Sequence, residues 1–394
     1  MKINKTQALI ATVYFLQGFG LAGLAFSLFL KETLHWSIMQ MTLMGTITSI
    51  PWFLKILFGV ISDNFPIGGY RRKSYLIASA TVSASMSIVL ATVHATSFWF
   101  YTGVFFTASL CACMIDVIID GYVVQKSIGT KETNNYQNLS WGSRAVGAAS
   151  SSYIAGWVAT HLNIYTIFAL MIPVNVIQLP LALLLDEVKT KTKQTVNLLS
   201  TLKENIVKPL KEFVSNKQLM WLSLFTILAM FSPSYGTPFF FRMRDILHFD
   251  AQFLGLLGSI GSIVEVGACL LFAKYLSNIP LKKLLYVSVF IWAVNTAMVL
   301  AIVNRPTAII VNVIGALIGY ISFVPTLSIA AKICQKTKYE ATMFAILMSL
   351  HNISGQGSSL LGSWLYQYTG FFWLVMISTV TTLMVLPVIK KLED

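Results

Sequence analysis

Five ionisable side chains fall inside stretches that are otherwise apolar: Lys55, Asp116, Asp120, Arg144 and Glu265. A charge held in hydrocarbon is costly, so each marks a candidate site for binding a solute or moving a proton. Asp116 and Asp120 stand four residues apart and share one helix face. Two carboxylates that close resist joint ionisation, and one proton shared between them suits coupling to a proton gradient. Lys55 and Arg144 add cations able to hold an anion, Arg144 through a two-pronged grip on a carboxylate. Counting ~1.5 Å per residue from the cytoplasmic end of each stretch puts Asp116, Arg144 and Glu265 at about 15 Å, near mid-membrane, with Lys55 shallower. A purely structural reading stands beside this one. In it Asp116 only neutralises Arg144, and Asp120 caps a neighbouring helix or binds loop cations.

Three further groups carry possible chemistry. Asp63, Arg71, Arg72 and Lys73 sit in a short Gly/Pro turn and are expected to form a conformational latch, Asp63 meeting the positive N-terminal end of the helix that starts near Glu340. Tyr235, Phe239 and Phe240, with Phe241 and the prolines Pro233 and Pro238, read either as an interfacial belt or as a proline-bent gate whose rings stack on a flat solute. His351 and Asn352 lie deep in an apolar stretch and either donate to a ligand or bond between helices.

Other patterns carry no function. Gly18, Gly20 and Gly23 match a dinucleotide fingerprint but sit in an apolar span with no strand before them, so close helix packing is the better reading. There is no phosphate-binding GxxxxGK[ST] loop and no HExxH pair. Asn138-Leu139-Ser140 is a formal glycosylation sequon on the side expected to be cytoplasmic. Neither an enzyme nor a cofactor is indicated.

The elements that must position these residues are membrane spans. The chain of 394 residues is 56% hydrophobic and 11% charged, with a mean hydropathy of +0.72. Twelve apolar runs are long enough to cross ~30 Å of hydrocarbon. They cover roughly 7–31, 37–62, 74–94, 97–126, 133–160, 163–186, 217–242, 250–275, 281–303, 306–334, 340–367 and 370–391. The net charge of +13 is distributed as a membrane protein distributes it, which argues against nucleic acid as a partner. With both termini cytoplasmic, twenty-two of the 28 Lys and Arg residues fall inside; Lys31, Arg242, Arg244 and Arg305 fall outside, and Lys55 and Arg144 within the membrane. That asymmetry is the positive-inside pattern. The four cysteines lie in or beside apolar spans and form no disulfide framework.

The organisation is an N-terminal six-helix half (1–186), a lysine-rich cytoplasmic linker (187–216) and a C-terminal six-helix half (217–394). The linker is expected to hold an amphipathic helix on the membrane surface. An offset of 210 residues lays Gly45 on Gly255, Ser49 on Ser259, Ile50 on Ile260 and the buried Lys55 on the buried Glu265, as a parallel two-half repeat would.

Several motifs together resemble the folate–biopterin transporter family of the major facilitator superfamily. They are Pro51, Lys55, Gly59, Ser62-Asp63, Pro66 and Gly69-Tyr70-Arg71-Arg72-Lys73; Asp116-Val-Ile-Ile-Asp120; Ser140-Trp-Gly-Ser-Arg144-Ala-Val-Gly147; Ser232-Pro-Ser234 with Phe239–Phe241; Pro280-Leu-Lys-Lys283; and Glu340-Ala-Thr-Met-Phe-Ala345 with Ser349 and Asn352. Gln125, where an acidic residue is common, and Gln335-Lys336 depart from the pattern. The resemblance implies an all-α, twelve-helix facilitator fold, alternating access, and transport of folates, pterins or S-adenosylmethionine. The expected function is secondary active transport of folate, biopterin or a related pterin, proton-coupled, in the cell (inner) membrane. The expected partners are that solute, protons and the lipid bilayer. A muropeptide-like solute is the alternative within transport, and a polytopic receptor or membrane enzyme the alternative outside it.

Overall fold

A computed structural model describes residues 4–126, 130–189, 203–271, 279–337 and 340–392, with the backbone alone in a few helical stretches. Every regular element among them is helical, apart from one β-bridge, Ile67–Tyr70, that closes the turn after the second span. Most of the described residues of each apolar run are helical, with breaks at 19–21 and 231–235 among others, and eight helical segments are long and apolar enough to cross a membrane. Residues 190–202 of the expected linker, Lys193 among them, and Lys338 lie outside the described residues.

The chain divides into two compact units. The first comprises Met1–Trp36, Ile47–Thr201 and Ala251–Ser259; the second comprises Ser37–Thr46, Leu202–Asp250 and Ile260–Asp394. Two short pieces are therefore traded relative to a division at the linker. Thr42 joins the second unit through hydroxyl contacts to Ser363 (2.7 Å) and Thr237 (3.3 Å). Ser259 joins the first by donating to the Ala149 carbonyl at 2.7 Å.

In the first unit, α1 (Lys5–Gly18) opens on an Asn4–Gln7 capping box, and α2 (Ala22–Leu28) completes the first span. The second span is α3 (Ile38–Phe53), of which the part up to Thr46 belongs to the second unit, and α4 (Lys55–Asn64). Then follow α5 (Lys73–Thr92), α6 (Phe98–Lys126) and α7 (Thr130–His161). The sixth span is α8 (Ile164–Val176) with α9 (Gln178–Leu183). The core of this unit packs Ile10, Val13, Tyr14, Leu76, Ile118, Ile119, Tyr122 and Ala182. Lipid supplies no hydrophobic drive between helices, so close steric fit must hold them. Gly18 and Gly147 supply it: a Cβ at Gly18 would lie 2.1 Å from the Arg144 carbonyl oxygen, and one at Gly147 would lie 2.2 Å from that of Phe15. Only glycine at both positions lets the first and fifth spans approach this closely.

In the second unit, the linker helix α10 (Lys208–Ser215) buries Pro209 and Phe213. Phe213 packs with Leu219, Phe225, Leu285, Ile333 and Leu347 in that unit's core, so the expected surface helix is docked on protein by one face. The seventh span is split into α11 (Lys217–Met230) and α12 (Gly236–Asp245). The residues between them, around Pro233, are caught by the eleventh span. Ser234 N–H donates to the Ser358 carbonyl at 3.0 Å, and the Ser358 hydroxyl donates to the Ser232 carbonyl. The remaining helices are α13 (Ala251–Leu271), of which Ala251–Ser259 belongs to the first unit, α14 (Leu281–Met298), α15 (Arg305–Gln335), α16 (Glu340–Leu383) and α17 (Leu386–Ile389). α16 runs for 44 residues, too long for one crossing, and breaks at Gly370, whose φ of 68° only glycine adopts freely. That break separates the eleventh and twelfth spans.

Candidate functional site

Pro51 sets the site's geometry. It lacks the N–H that would bond one turn back, and the second span breaks at Leu54, immediately before Lys55. The sixth helix holds the break in place. Trp52 Nε1 donates to Ser109 Oγ at 3.0 Å, and Cys113 Sγ donates to the Pro51 carbonyl at 3.4 Å. The lysine is thereby aimed at the two aspartates of α6.

Lys55 Nζ donates to Asp116 Oδ2 and, at 3.1 Å, to Asp120 Oδ2. The other oxygen of Asp120 accepts from the Tyr14 hydroxyl. The other oxygen of Asp116 lies 3.7 Å from Arg144 Nη1. The depth estimate placed Lys55 below a cluster of Asp116, Arg144 and Glu265. The structure instead makes Lys55 the bridge, because its long stem lifts the ammonium well beyond its own backbone level. Two acids and two bases in contact sum to zero charge, which is how a low-dielectric site tolerates ions. The site is also lopsided: the Asp116 side chain is 6% exposed, while those of Lys55 and Arg144 are each 36% and Asp120 44% exposed.

Two neighbours of the cluster, Tyr14 and Trp141, and one buried amide, Gln17, escape a search for charges. Tyr14 looks like one more apolar residue of the first span. Trp141 stands three residues before Arg144, a spacing that puts both on one helix face and was a readable signal; the Arg144 guanidinium lies 5.6 Å from the centre of its ring. Gln17 is one turn beyond Tyr14, and both of its amide atoms are buried without a hydrogen-bond partner among the described residues.

The loop residues make contacts of their own. Asp63 Oδ1 accepts from Arg72 Nη2 at 2.5 Å, and Ser62 Oγ accepts from Arg72 Nη1 at 3.2 Å. The side chain of Glu340, the expected neighbourhood of Asp63, is outside the described residues. Glu187, at the start of the linker, accepts the backbone N–H groups of Arg71 (2.7 Å), Arg72 (3.0 Å) and Lys73 (2.8 Å), and so caps the third span. The ring of Tyr70 lies beneath the ammonium groups of Lys73 and Lys189.

Glu265, Tyr235, Phe239, Phe240, His351 and Asn352 belong to the second unit. Glu265 is exposed, His351 and Asn352 half-buried. Tyr235 meets Phe239 and Phe371 edge-on, and Phe239 stacks on Phe371 with centroids 5.9 Å apart. Arg242 lies over the same Phe371 ring at 5.0 Å. Phe240 packs edge-on against Phe241.

A polytopic helical bundle that keeps a neutral ion cluster within one unit has the make-up of a membrane transporter, and solved transporters share its fold. A variant of the nucleoside transporter NupG superposes with a TM-score of 0.79 at 14% identity, over 99% of this chain and all of that one. A D-xylose-proton symporter gives 0.72 at 11% identity, over 99% of this chain and 97% of that one. The fold is that of the major facilitators.

The chain belongs to the BT1 family, which matches residues 17–394. It is a multi-pass membrane transporter and not an enzyme. It is 30% identical to the folate-biopterin transporter of Synechocystis sp. (strain PCC 6803), over 96% of this chain and 80% of that protein. It is 25% identical to probable folate-biopterin transporter 4 of Arabidopsis thaliana, over 92% and 88%. Folate transporter 1 of Plasmodium falciparum is 23% identical, over 87% and 69%.

Proposed function

We propose that this protein carries folate or a related pterin across the cell membrane by alternating access, coupled to protons, with both termini in the cytoplasm. The observation that carries the reading is the Lys55–Asp116–Asp120–Arg144 cluster, in a chain whose relatives include proteins named as folate and biopterin transporters. The carboxylates are the proton acceptors, and Lys55 is the cation that stabilises both while they are ionised. An anionic solute engages a cation of the cluster, and the acid that loses its partner takes the proton. Tyr14 holds Asp120 in place by donating to it. Gln17, with a buried donor and acceptor both unmet, matches the amide-and-amino edge of a pterin ring. Tyr235 and Phe239, gathered against Phe371, and the split seventh span serve as a gate, and Asp63 with Arg71, Arg72 and Lys73 as a cytoplasmic latch. Glu265, His351 and Asn352 contribute from the C-terminal half.

Uptake by proteoliposomes tests the proposal. Wild type accumulates labelled folate when an inward proton gradient is imposed. Asp116→Asn exchanges folate across the membrane but does not accumulate it. Competition by excess biopterin, S-adenosylmethionine and a muropeptide identifies the solute class. Accumulation that is indifferent to the gradient, or blocked only by S-adenosylmethionine or the muropeptide, refutes the reading.

A further inference from the structure

Arg144 is under-used in the cluster it joins. A guanidinium offers five N–H donors in a fixed fork, yet its nearest approach to Asp116 is 3.7 Å, an ion pair and not a hydrogen bond. Lys55 alone contacts both acids closely, so withdrawing Arg144 would leave neither without a cation. The guanidinium instead lies 5.6 Å from the ring centre of Trp141, and that indole is 63% exposed. The ring does not simply face lipid, because its neighbour Arg144 reaches Asp116, and a half-exposed ion cluster opens to water or solute and not to hydrocarbon. The Gly18–Gly147 contact clamps this part of the fifth span against the first, so fork and ring are presented on a rigid element.

We infer that Trp141 and Arg144 form a subsite for the aroyl-carboxylate end of the solute. The guanidinium takes a carboxylate by two parallel hydrogen bonds, and the indole stacks on an aryl ring joined to that carboxylate through one amide and one carbon. This deepens the folate reading above and rests on it. The subsite engages folate by its p-aminobenzoylglutamate portion. Biopterin has neither the ring nor the acid and bypasses it. Trp141 then sets specificity between the two.

The test uses the full chain in proteoliposomes, with p-aminobenzoylglutamate and biopterin as competing inhibitors of folate uptake. In Trp141→Leu, half-inhibition by p-aminobenzoylglutamate needs about tenfold more compound, the loss of one stacked ring, while the biopterin value moves less than twofold. Trp141→Phe recovers most of the loss. Arg144→Lys weakens the aroyl compound at least as much, since an ammonium cannot make the forked contact. Equal shifts for both inhibitors in Trp141→Leu, or no shift for p-aminobenzoylglutamate, overturn the inference. Direct binding of radiolabelled p-aminobenzoylglutamate separates it from the parent reading. Binding that is lost in Trp141→Leu supports the subsite even if wild type transports no folate, whereas no binding to a wild type that does transport folate overturns the subsite alone.

Discussion

Lys55→Met is the most informative single change. The substitution keeps the length of the stem and removes the ammonium that contacts both aspartates. At the 3.1 Å separation from Asp120, an effective dielectric near 20 gives a gross attraction of about 5 kcal/mol. Removing one partner of a buried pair costs ~3–5 kcal/mol. The lysine is about a third exposed, and solvent screening reduces the net loss to about 2–3 kcal/mol. For a unit of this size that lowers the unfolding midpoint by roughly 5–10 °C. The double variant Lys55→Met/Asp116→Asn removes an acid together with the cation, leaves Arg144 to balance Asp120, and melts within about 2 °C of wild type. Thermal unfolding followed by tryptophan fluorescence in detergent measures both, and transport is lost in both. A double variant that melts as low as the sum of the two single variants would refute the idea that Lys55 holds these acids by charge balance.

Four other outcomes follow, three from the geometry and one from the charge distribution. Glu187→Ala strips three N–H acceptors from the start of the third span and costs about 1–2 kcal/mol. Asp63→Asn, at a half-exposed pair, costs under ~1 kcal/mol while altering transport rate; parallel melts that reverse this order contradict the structure. Gly147→Val destabilises by at least ~3 kcal/mol because its Cβ meets backbone, whereas Gly20→Ala and Gly23→Ala, with open space around them, express and melt like wild type. Single cysteines at 193 and 338, in a background without the native four, stay unlabelled by an impermeant maleimide in intact cells, while one at 305 labels; the reverse pattern inverts the topology.

The spans were legible because apolar runs and lysine placement are one-dimensional properties. Asp116, Asp120 and Arg144 stood out for the same reason, being charged where charge is costly. What the sequence withheld was reach. Depth counted along a helix says nothing of how far a lysine stem extends, and it placed Lys55 outside the cluster that it bridges. Tyr14 was hidden because a phenol among leucines and valines carries no charge to betray its hydrogen bond to Asp120. The loop shows a second limit. Asp63 and Arg72 were visible as charges, but Glu187 acts through its position against three backbone N–H groups, more than a hundred residues away in the chain. The Gly18–Gly147 contact illustrates the converse: Gly18 was readable as a close-packing residue but the helix it presses against was not, and Gly20 and Gly23, read with it as close-packing, have open space around them instead.

The zero sum of the Lys55–Asp116–Asp120–Arg144 quartet has an electrical consequence. A membrane potential does work of about 2.3 kcal/mol per elementary charge per 100 mV. When the empty carrier resets, this quartet moves no net charge through the field, so voltage neither drives nor opposes its return. The proposed solute, a folate dianion, would bring two negative charges, worth about 4.6 kcal/mol at 100 mV if they cross the whole field. Two accompanying protons would cancel that term, and a third would let the potential pull the loaded carrier inward. On the proposed proton-coupled reading, the voltage dependence this quartet contributes falls on the loaded step, and its slope counts the protons that travel with the solute.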